Sequence, residues 1–409
     1  MAEYERTMDF SKLRNDFPTM RTDKGVYLDS ACQTLRPDSV IEAVVEYYEK
    51  YPVCGGRSVH HLANEVSVRV DETREELCRF FNGSSPGSFV FTKNTTEAIN
   101  TVAFGLGLRR GDAVVTTDSE HNSNYVPWLT LRDSAGIEMR MSHSGPDGLF
   151  DIESFKEAMD GNVRLVSMCQ CSNVTGCTVP IKAVAEIAHD HGAKVLVDGS
   201  QAAPHMKVDM EDLDVDFYAM SIHKMLGPTG MGVLYGKEEC LEGLRALQYG
   251  GGTVGLVTYD SVDFAPVPDR FEAGLQNYAG IFGTKAAVEY LEKVGMENIA
   301  RNDADLMRYM FSRIEDVKGL SVVGPEDPDK RCAVLSFNID GLGSHDVAMM
   351  LDSVDGIMVR SGMHCAHPFF VSRKVEGSVR ASVYLYNNRS DIDRFATALG
   401  KIAETFGGR

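Results

Sequence analysis

The sequence predicts an α/β fold with a large domain around a mainly parallel central sheet and a smaller α/β domain at its C-terminal end. From about residue 88 onward, short apolar runs alternate with longer stretches of helical period, the pattern of strands joined by crossover helices. A stretch rich in Gly and Pro over about 240–280 interrupts the alternation, which then resumes. The chain of 409 residues exceeds one typical domain and can bury a sizeable core.

In chain order, the strand runs are Phe89-Val90-Phe91, Val114-Val115, Met139-Arg140-Met141, Leu165 to Met168, Val195-Leu196-Val197, Phe217 to Met220 and Val233-Leu234-Tyr235. Helices are predicted near Thr95 to Phe104 and over Ile181 to His189, the latter opened by Pro180 and closed by Gly192. The 240–280 stretch, with Gly250-Gly251-Gly252, reads as loops lining a site. Beyond it, a helix is predicted around Gly283 to Val294. Ala333 to Phe337 and Ile357 to Arg360 read as strands on either side of a helix over Ser344 to Ser353. Val379 to Val383 reads as a further strand and Asp391 to Phe406 as the closing helix. The chain divides on this reading into an N-terminal segment (1–30) packing with the small domain, a large domain (31–280) and a small C-terminal domain (281–409).

The formal charge of −18 is spread over many short acidic stretches, which argues against a nucleic-acid-binding surface. No apolar run approaches the roughly 20 residues of a membrane-spanning helix, and Met1 to Phe10 is too charged for a signal peptide, so a cytoplasmic location is expected. Nine cysteines, an odd number scattered along the chain, point to reduced thiols rather than a disulfide framework. Cys169, Cys171 and Cys177 have a spacing that invites a metal, but the first two end an apolar run and no paired Cys-x-x-Cys follows. Buried thiols, and no metal, are the expectation.

Six segments carry chemistry. Lys224 lies just past an apolar strand and before a Gly-Pro turn, where a lysine either faces solvent or reaches a carbonyl cofactor to which it binds covalently. Asp198 ends the Val195-Leu196-Val197 strand, as a capping aspartate or as a carboxylate holding a pyridine nitrogen protonated. Asn94-Thr95-Thr96-Glu97 opens a helix with a capping-box pattern, an ordinary cap or a phosphate cradle. His121 follows the Val114-Val115 strand, placed to stack on a planar ring, to move protons, or simply to be satisfied locally. Arg360-Ser361-Gly362-Met363-His364-Cys365-Ala366-His367 sets a thiol in a Gly-containing loop beside two histidines and an arginine. These are surroundings for a thiolate nucleophile, unless Cys365 is a fortuitous exposed cysteine. Nearby, Arg380 sits in an apolar strand, suited to bidentate capture of a carboxylate or to a structural ion pair.

Taken in order, these segments resemble fold type I enzymes of pyridoxal 5'-phosphate (PLP) in the class V aminotransferase family. Within that family they are similar to group II cysteine desulfurases and selenocysteine lyases of the Suf sulfur-mobilisation type. Besides the segments above, Tyr27-Leu28-Asp29-Ser30-Ala31, Ser172-Asn173-Val174-Thr175-Gly176, Val197-Asp198-Gly199-Ser200-Gln201, Arg270-Phe271-Glu272-Ala273-Gly274 and Arg380-Ala381-Ser382 carry the likeness, which spans nearly the whole chain. The resemblance implies that Lys224 holds PLP, His121 stacks on its ring, Asp198 pairs with the pyridine nitrogen and Gln201 touches the phenolic oxygen. It further implies that Thr95, Thr96, Ser221 and His223 bind the phosphate. Asn173, Arg360 and Arg380 would hold the substrate, and Cys365 would take its sulfur.

The implied activity is removal of sulfur from L-cysteine, giving L-alanine and a persulfide on Cys365 that supplies an acceptor protein for iron-sulfur cluster or other sulfur-cofactor assembly. The implied assembly is a homodimer. Selenocysteine lyase activity, another class V reaction, and a catalytically idle partner in sulfur assembly are the alternatives. Two departures stand out. Leu275-Gln276 replaces the family's Thr-Pro after Phe-Glu-Ala-Gly, losing a threonine through which a partner subunit contacts phosphate, and Thr253 or Thr284 are the candidate substitutes. Val53 to Ser58 replaces an early Asn-x-His-Arg-Gly segment, without its histidine.

Overall fold

The strands form because their apolar runs are buried on both faces, which suits a parallel sheet covered by helices. The structure, a computed structural model, describes residues 8–22, 24–56, 58–145 and 148–407. Residues 1–7 of the N-terminal segment and Arg57 of the Val53–Ser58 departure lie outside them. The strands run β1 (Val26–Tyr27), β2 (Phe89–Thr92), β3 (Ala113–Thr117), β4 (Glu138–Ser142), β5 (Val163–Cys169), β6 (Lys194–Asp198), β7 (Phe217–Ser221) and β8 (Gly232–Gly236). They continue with β9 (Val254–Val257), β10 (Val262–Phe264), β11 (Leu320–Val323), β12 (Val334–Ile339), β13 (Ile357–Met358), β14 (Arg360–Gly362) and β15 (Ser378–Ser382).

A seven-stranded sheet has the order β2-β8-β7-β6-β5-β3-β4. Its pairs are parallel except those of β8, which runs against both β2 and β7. One face packs Val115, Val166, Val195, Tyr218 and Val233 against flanking helices, and the other packs Val90, Val114, Leu165, Leu196 and Leu234 with Trp128. The helix Tyr278–Val294 belongs to the first of these cores through Ile281, Ala287 and Leu291. A second sheet, antiparallel in the order β11-β12-β15-β14, builds a separate core with the helices Met296–Ile314, Ser344–Asp355 and Arg389–Phe406. Val26 and Leu28 of the N-terminal segment lie in that core, and β1 pairs with β13.

Three elements differ from the sequence reading. The 240–280 stretch is not all loop: β9 and β10 form an antiparallel hairpin whose Leu256, Val257, Val262 and Phe264 are exposed. Its short β-branched and aromatic runs are diluted by the surrounding Gly and Pro. The run Ile357 to Arg360 is two strands, because the chain changes partner at Val359, leaving β1 for β15. Ile357 is thereby buried in the small core while Arg360 turns toward the seam between the sheets. The helix Met296–Ile314 is not among the predicted elements, although Ile299, Leu306, Met310 and Ile314 recur on one buried face.

The Phe271-Glu272-Ala273-Gly274 segment is pinned to the large sheet by a buried ion pair. Glu272 Oε2 accepts from Arg74 Nη2 at 2.5 Å, and Oε1 accepts from the Phe91 amide at 2.7 Å. Removing one member of such a pair strands the other charge without water, at about 3–5 kcal/mol. Glu272→Ala is therefore expected to lower the free energy of unfolding by that order, and urea unfolding followed by circular dichroism measures it.

Candidate active site

The strand ends of the large sheet meet the edge of the small one around a cavity of about 250 Å³. Lys224, Cys365, His121, Asp198, Gln201 and Arg380 all line it, as do Thr95, Thr96, Asn173, Ser221, His223 and Arg360. It therefore brings together the residues to which the family resemblance gives cofactor, substrate and sulfur-accepting roles.

One wall is the start of the helix Thr95–Gly105. Asn94 caps it, its side chain accepting from the Glu97 amide at 3.0 Å. The helix start sits close against β8: a Cβ on Gly232 would lie 2.5 Å from the Asn94 Cα, so this approach requires glycine. Thr95 Oγ1 is 2.7 Å from both Ser200 Oγ and Ser221 Oγ, and the Thr95 amide donates to Ser221 Oγ at 3.2 Å. Thr96 Oγ1 meets Ser123 Oγ at 2.7 Å. Hydroxyls gathered at a helix N-terminus form an anion cradle.

The floor comes from β6, β7 and the turns after them. Asp198 is 5 % exposed, and its Oδ1 accepts from the Ser200 amide at 2.9 Å. Gln201 Nε2 donates to Ala31 O at 2.7 Å, while its buried Oε1 has no partner. Gly199 packs so tightly on Tyr218 that a Cβ there would fall 1.9 Å from the ring, which holds the Asp198–Gln201 turn down on the sheet. Lys224 follows β7, and burial lowers its pKa, favouring the neutral amine. Burial and neighbouring Lys224 push both His121 and His223 down to about 4, so each ring is neutral near pH 7. His121 Nδ1 accepts from the Ser123 amide at 3.1 Å, which places the ring proton on Nε2.

The roof belongs to the second sheet. Arg380 on β15 is 2 % exposed; its Nη1 donates to Asn173 O at 3.1 Å and its Nη2 to Asp29 Oδ1 at 3.2 Å, while Nε has no partner. Burial pulls both members of that pair toward neutrality, Arg380 downward and Asp29 upward. Arg360 Nη1 donates to Cys32 Sγ at 2.8 Å. Between the arginines and the helix start runs the His364–Cys365 loop, with φ of +48° and +56° at its two residues. Its backbone is clamped by Asn173 Nδ2 donating to His364 O at 2.7 Å and by the Asn122 amide donating to Cys365 O at 2.6 Å.

This donor set fits PLP: an anion cradle, a buried carboxylate, an aromatic ring and a lysine of lowered pKa surround one cavity. Ser200 and Cys32 also line it, and sequence reasoning passed over both. Ser200 lies inside the Val197–Gln201 motif. Cys32 lies one residue beyond the Tyr27–Ala31 motif, and Arg360, the arginine that donates to it, is 328 positions away in the chain. Thr253 and Thr284 do not line this cavity; their hydroxyls donate to Gly250 O at 2.9 Å and Gly280 O at 2.8 Å. Cys169 and Cys171 are buried at its edge, and among the described residues no three His, Cys, Asp or Glu side chains are grouped to hold a metal ion. Among the same residues, no helix is long and apolar enough to cross a membrane.

A model of the aminotransferase class-V family matches residues 26–395. The chain belongs to that family. It is 40 % identical over 408 residues to a probable cysteine desulfurase of Halalkalibacterium halodurans, covering 98 % of this chain and 99 % of that one. In structure it is similar to the apo form of a cysteine desulfurase from Thermococcus onnurineus, with a TM-score of 0.93, 34 % identity, and coverage of 99 % of this chain and 100 % of that one. A cysteine desulfurase from Escherichia coli in an S-sulfonic acid form gives a TM-score of 0.90 at 32 % identity, covering 98 % of this chain and 99 % of that one.

The site also makes stability depend on pH. His364 Nε2 is 2.8 Å from Ser378 Oγ, and burial with Arg380 and Arg360 nearby pushes its pKa down to about 3. In the unfolded chain a histidine takes a proton as pH falls through about 6.5, whereas the folded one resists until about 3. Stability is therefore lost as pH falls through that window. Urea midpoints measured at pH 7 and 4.5 are expected to fall further for the wild type than for His364→Asn.

Proposed function

We propose that this chain is a PLP-dependent cysteine desulfurase, converting L-cysteine to L-alanine and leaving a persulfide on Cys365. The observation that carries this reading is Cys365 facing the same cavity as Lys224, Asp198 and the two arginines. The cysteine desulfurases similar to it over their full length support the same choice.

PLP, when bound, supplies an electron-poor ring that stabilises negative charge on the substrate's α-carbon. Thr95, Thr96, Ser221 and His223, joined by Ser200, would hold its phosphate. Asp198 would pair with the ring nitrogen, Gln201 with the phenolic oxygen, and His121 would stack on the ring, with Lys224 as the covalent anchor. The Arg380 and Arg360 guanidinia, with Asn173, would receive the substrate carboxylate, which supplies the partner that Arg380 Nε lacks. Lys224 Nζ, its neutral form favoured by burial, takes the α-proton. The Cys365 sulfur attacks the sulfur of the substrate, whose carbon–sulfur bond breaks with the electron pair passing to the carbon fragment. That carbon is then protonated, and His121 Nε2–H is a donor within the cavity. The balance is L-cysteine plus the Cys365 thiol giving L-alanine plus the persulfide.

The assembly we propose is a homodimer, in which a second copy covers the exposed apolar side chains of the β9–β10 hairpin and Leu275. A sulfur-acceptor protein for cluster or cofactor assembly would then discharge Cys365. A reducing, cytoplasmic setting suits nine cysteines, an odd number scattered along the chain. The same reading divides the chain into a segment up to about residue 30 that joins the small domain, a large domain, and a small C-terminal domain. The helix Tyr278–Val294 goes with the large domain, whose core it shares.

Protein mixed with L-cysteine is expected to yield alanine with no keto acid present, and mass spectrometry is expected to find added sulfur on the Cys365 peptide. Alanine dependent on a keto acid would overturn the reading in favour of transamination. Cys365→Ala is expected to keep cofactor absorbance while alanine formation falls by about two orders of magnitude or more. Arg380→Lys, which loses the planar fork, is expected to raise KM for cysteine by roughly tenfold to a hundredfold, measured from initial rates.

A further inference from the structure

Cys32 lines the cavity beside Arg360, and the proposed reaction leaves its thiol idle. It lies in the turn after β1, where its amide donates to Asp29 O at 3.1 Å, and Arg360 Nη1 donates to its Sγ at 2.8 Å. The same turn holds the second guanidinium through Asp29 and Arg380. Cys32 and Cys365 line a single cavity of about 250 Å³, and both are half-buried. Arg380, 2 % exposed, lines that cavity with its Nε unpartnered, so a buried donor remains available to an anion there. Guanidinium donors bind anionic groups through charge-assisted hydrogen bonds. The backbone around Cys365 is held by Asn122 and Asn173, which leaves side-chain rotation as the freedom of its sulfur.

We infer that Cys32 is a second sulfur-carrying thiol of this site, receiving sulfane sulfur from the Cys365 persulfide inside the cavity. The inference rests on the desulfurase reading above. The Cys32 sulfur, having released its proton, attacks the outer sulfur of the persulfide. A sulfur–sulfur bond to Cys32 forms as the one to Cys365 breaks, the electron pair leaves on the Cys365 sulfur, and that sulfur takes up a proton. One thiol and one persulfide give one thiol and one persulfide, so no oxidant or reductant is consumed. The transfer parks the sulfur beside Arg360 and returns Cys365 to the reactive state before any acceptor arrives. Each chain can then hold two sulfurs.

The test uses PLP-loaded protein with L-cysteine, without reductant or acceptor, following the alanine burst and the masses of the peptides containing Cys32 and Cys365. The wild type is expected to release about two equivalents of alanine per chain in the burst and to carry sulfur on both peptides. Cys32→Ser is expected to release about one, with sulfur on Cys365 only; its cofactor absorbance shows that it is folded. In Cys365→Ala the Cys32 peptide is expected to stay unmodified. A wild type with sulfur on Cys365 but none on Cys32 would overturn the relay and leave the desulfurase reading standing. Sulfur on Cys32 in Cys365→Ala would overturn it too, since Cys32 would then take sulfur from the substrate directly. A PLP-loaded wild type giving neither alanine nor sulfur on either peptide would remove the desulfurase reading and the relay with it.

Discussion

A guanidinium buried between two sheets is the constraint on which the site depends. Arg380 lies in the middle of β15, in a strand whose residues are all buried, and a charge there is tolerable only while its hydrogen bonds are made. Its partners come from elsewhere in the chain: Asn173 from the loop after β5 and Asp29 from the turn after β1. The arginine thus couples the large sheet, the small sheet and the N-terminal segment with one set of bonds. It is also one of many polar side chains lining the seam between the sheets, in a molecule whose three main cores are otherwise apolar.

The chemistry gathers at that seam because of strand direction. Parallel strands deliver the loops that follow them to one edge of a sheet, and in open α/β sheets that edge is where ligands bind. Here β5, β6 and β7 deliver Asn173, Asp198 and Lys224, while the helix after β2 brings its N-terminus to the same edge. The second sheet closes the site from the other side with Arg360, Cys365 and Arg380. Neither sheet holds a complete site alone.

Much of this was legible in the sequence, for physical reasons. Strands buried on both faces read as continuous apolar runs, so those of the large sheet stood out. Lys224, Asp198 and Arg380 are conspicuous because a charge at the end of, or inside, an apolar run demands a partner. What escaped notice lacked that contrast. The β9–β10 hairpin is exposed, so burial leaves no pattern in it. The split at Val359 is a change of strand partner, which is a tertiary event with no local signal. Cys32 gains its meaning only from Arg360, which is 328 positions away in the chain.

The left-handed conformation of His364 and Cys365 has a consequence for how such a protein can change. Neither residue is a glycine, and a side chain in that conformation costs of order 1–3 kcal/mol. Glycine at either position would relieve the backbone, and at position 365 it would also delete the sulfur chemistry. A search for hardier variants, whether by selection in a hot environment or by screening for heat tolerance alone, would drift toward a sturdier protein with nothing to react. The loop is kept taut only by a requirement for turnover.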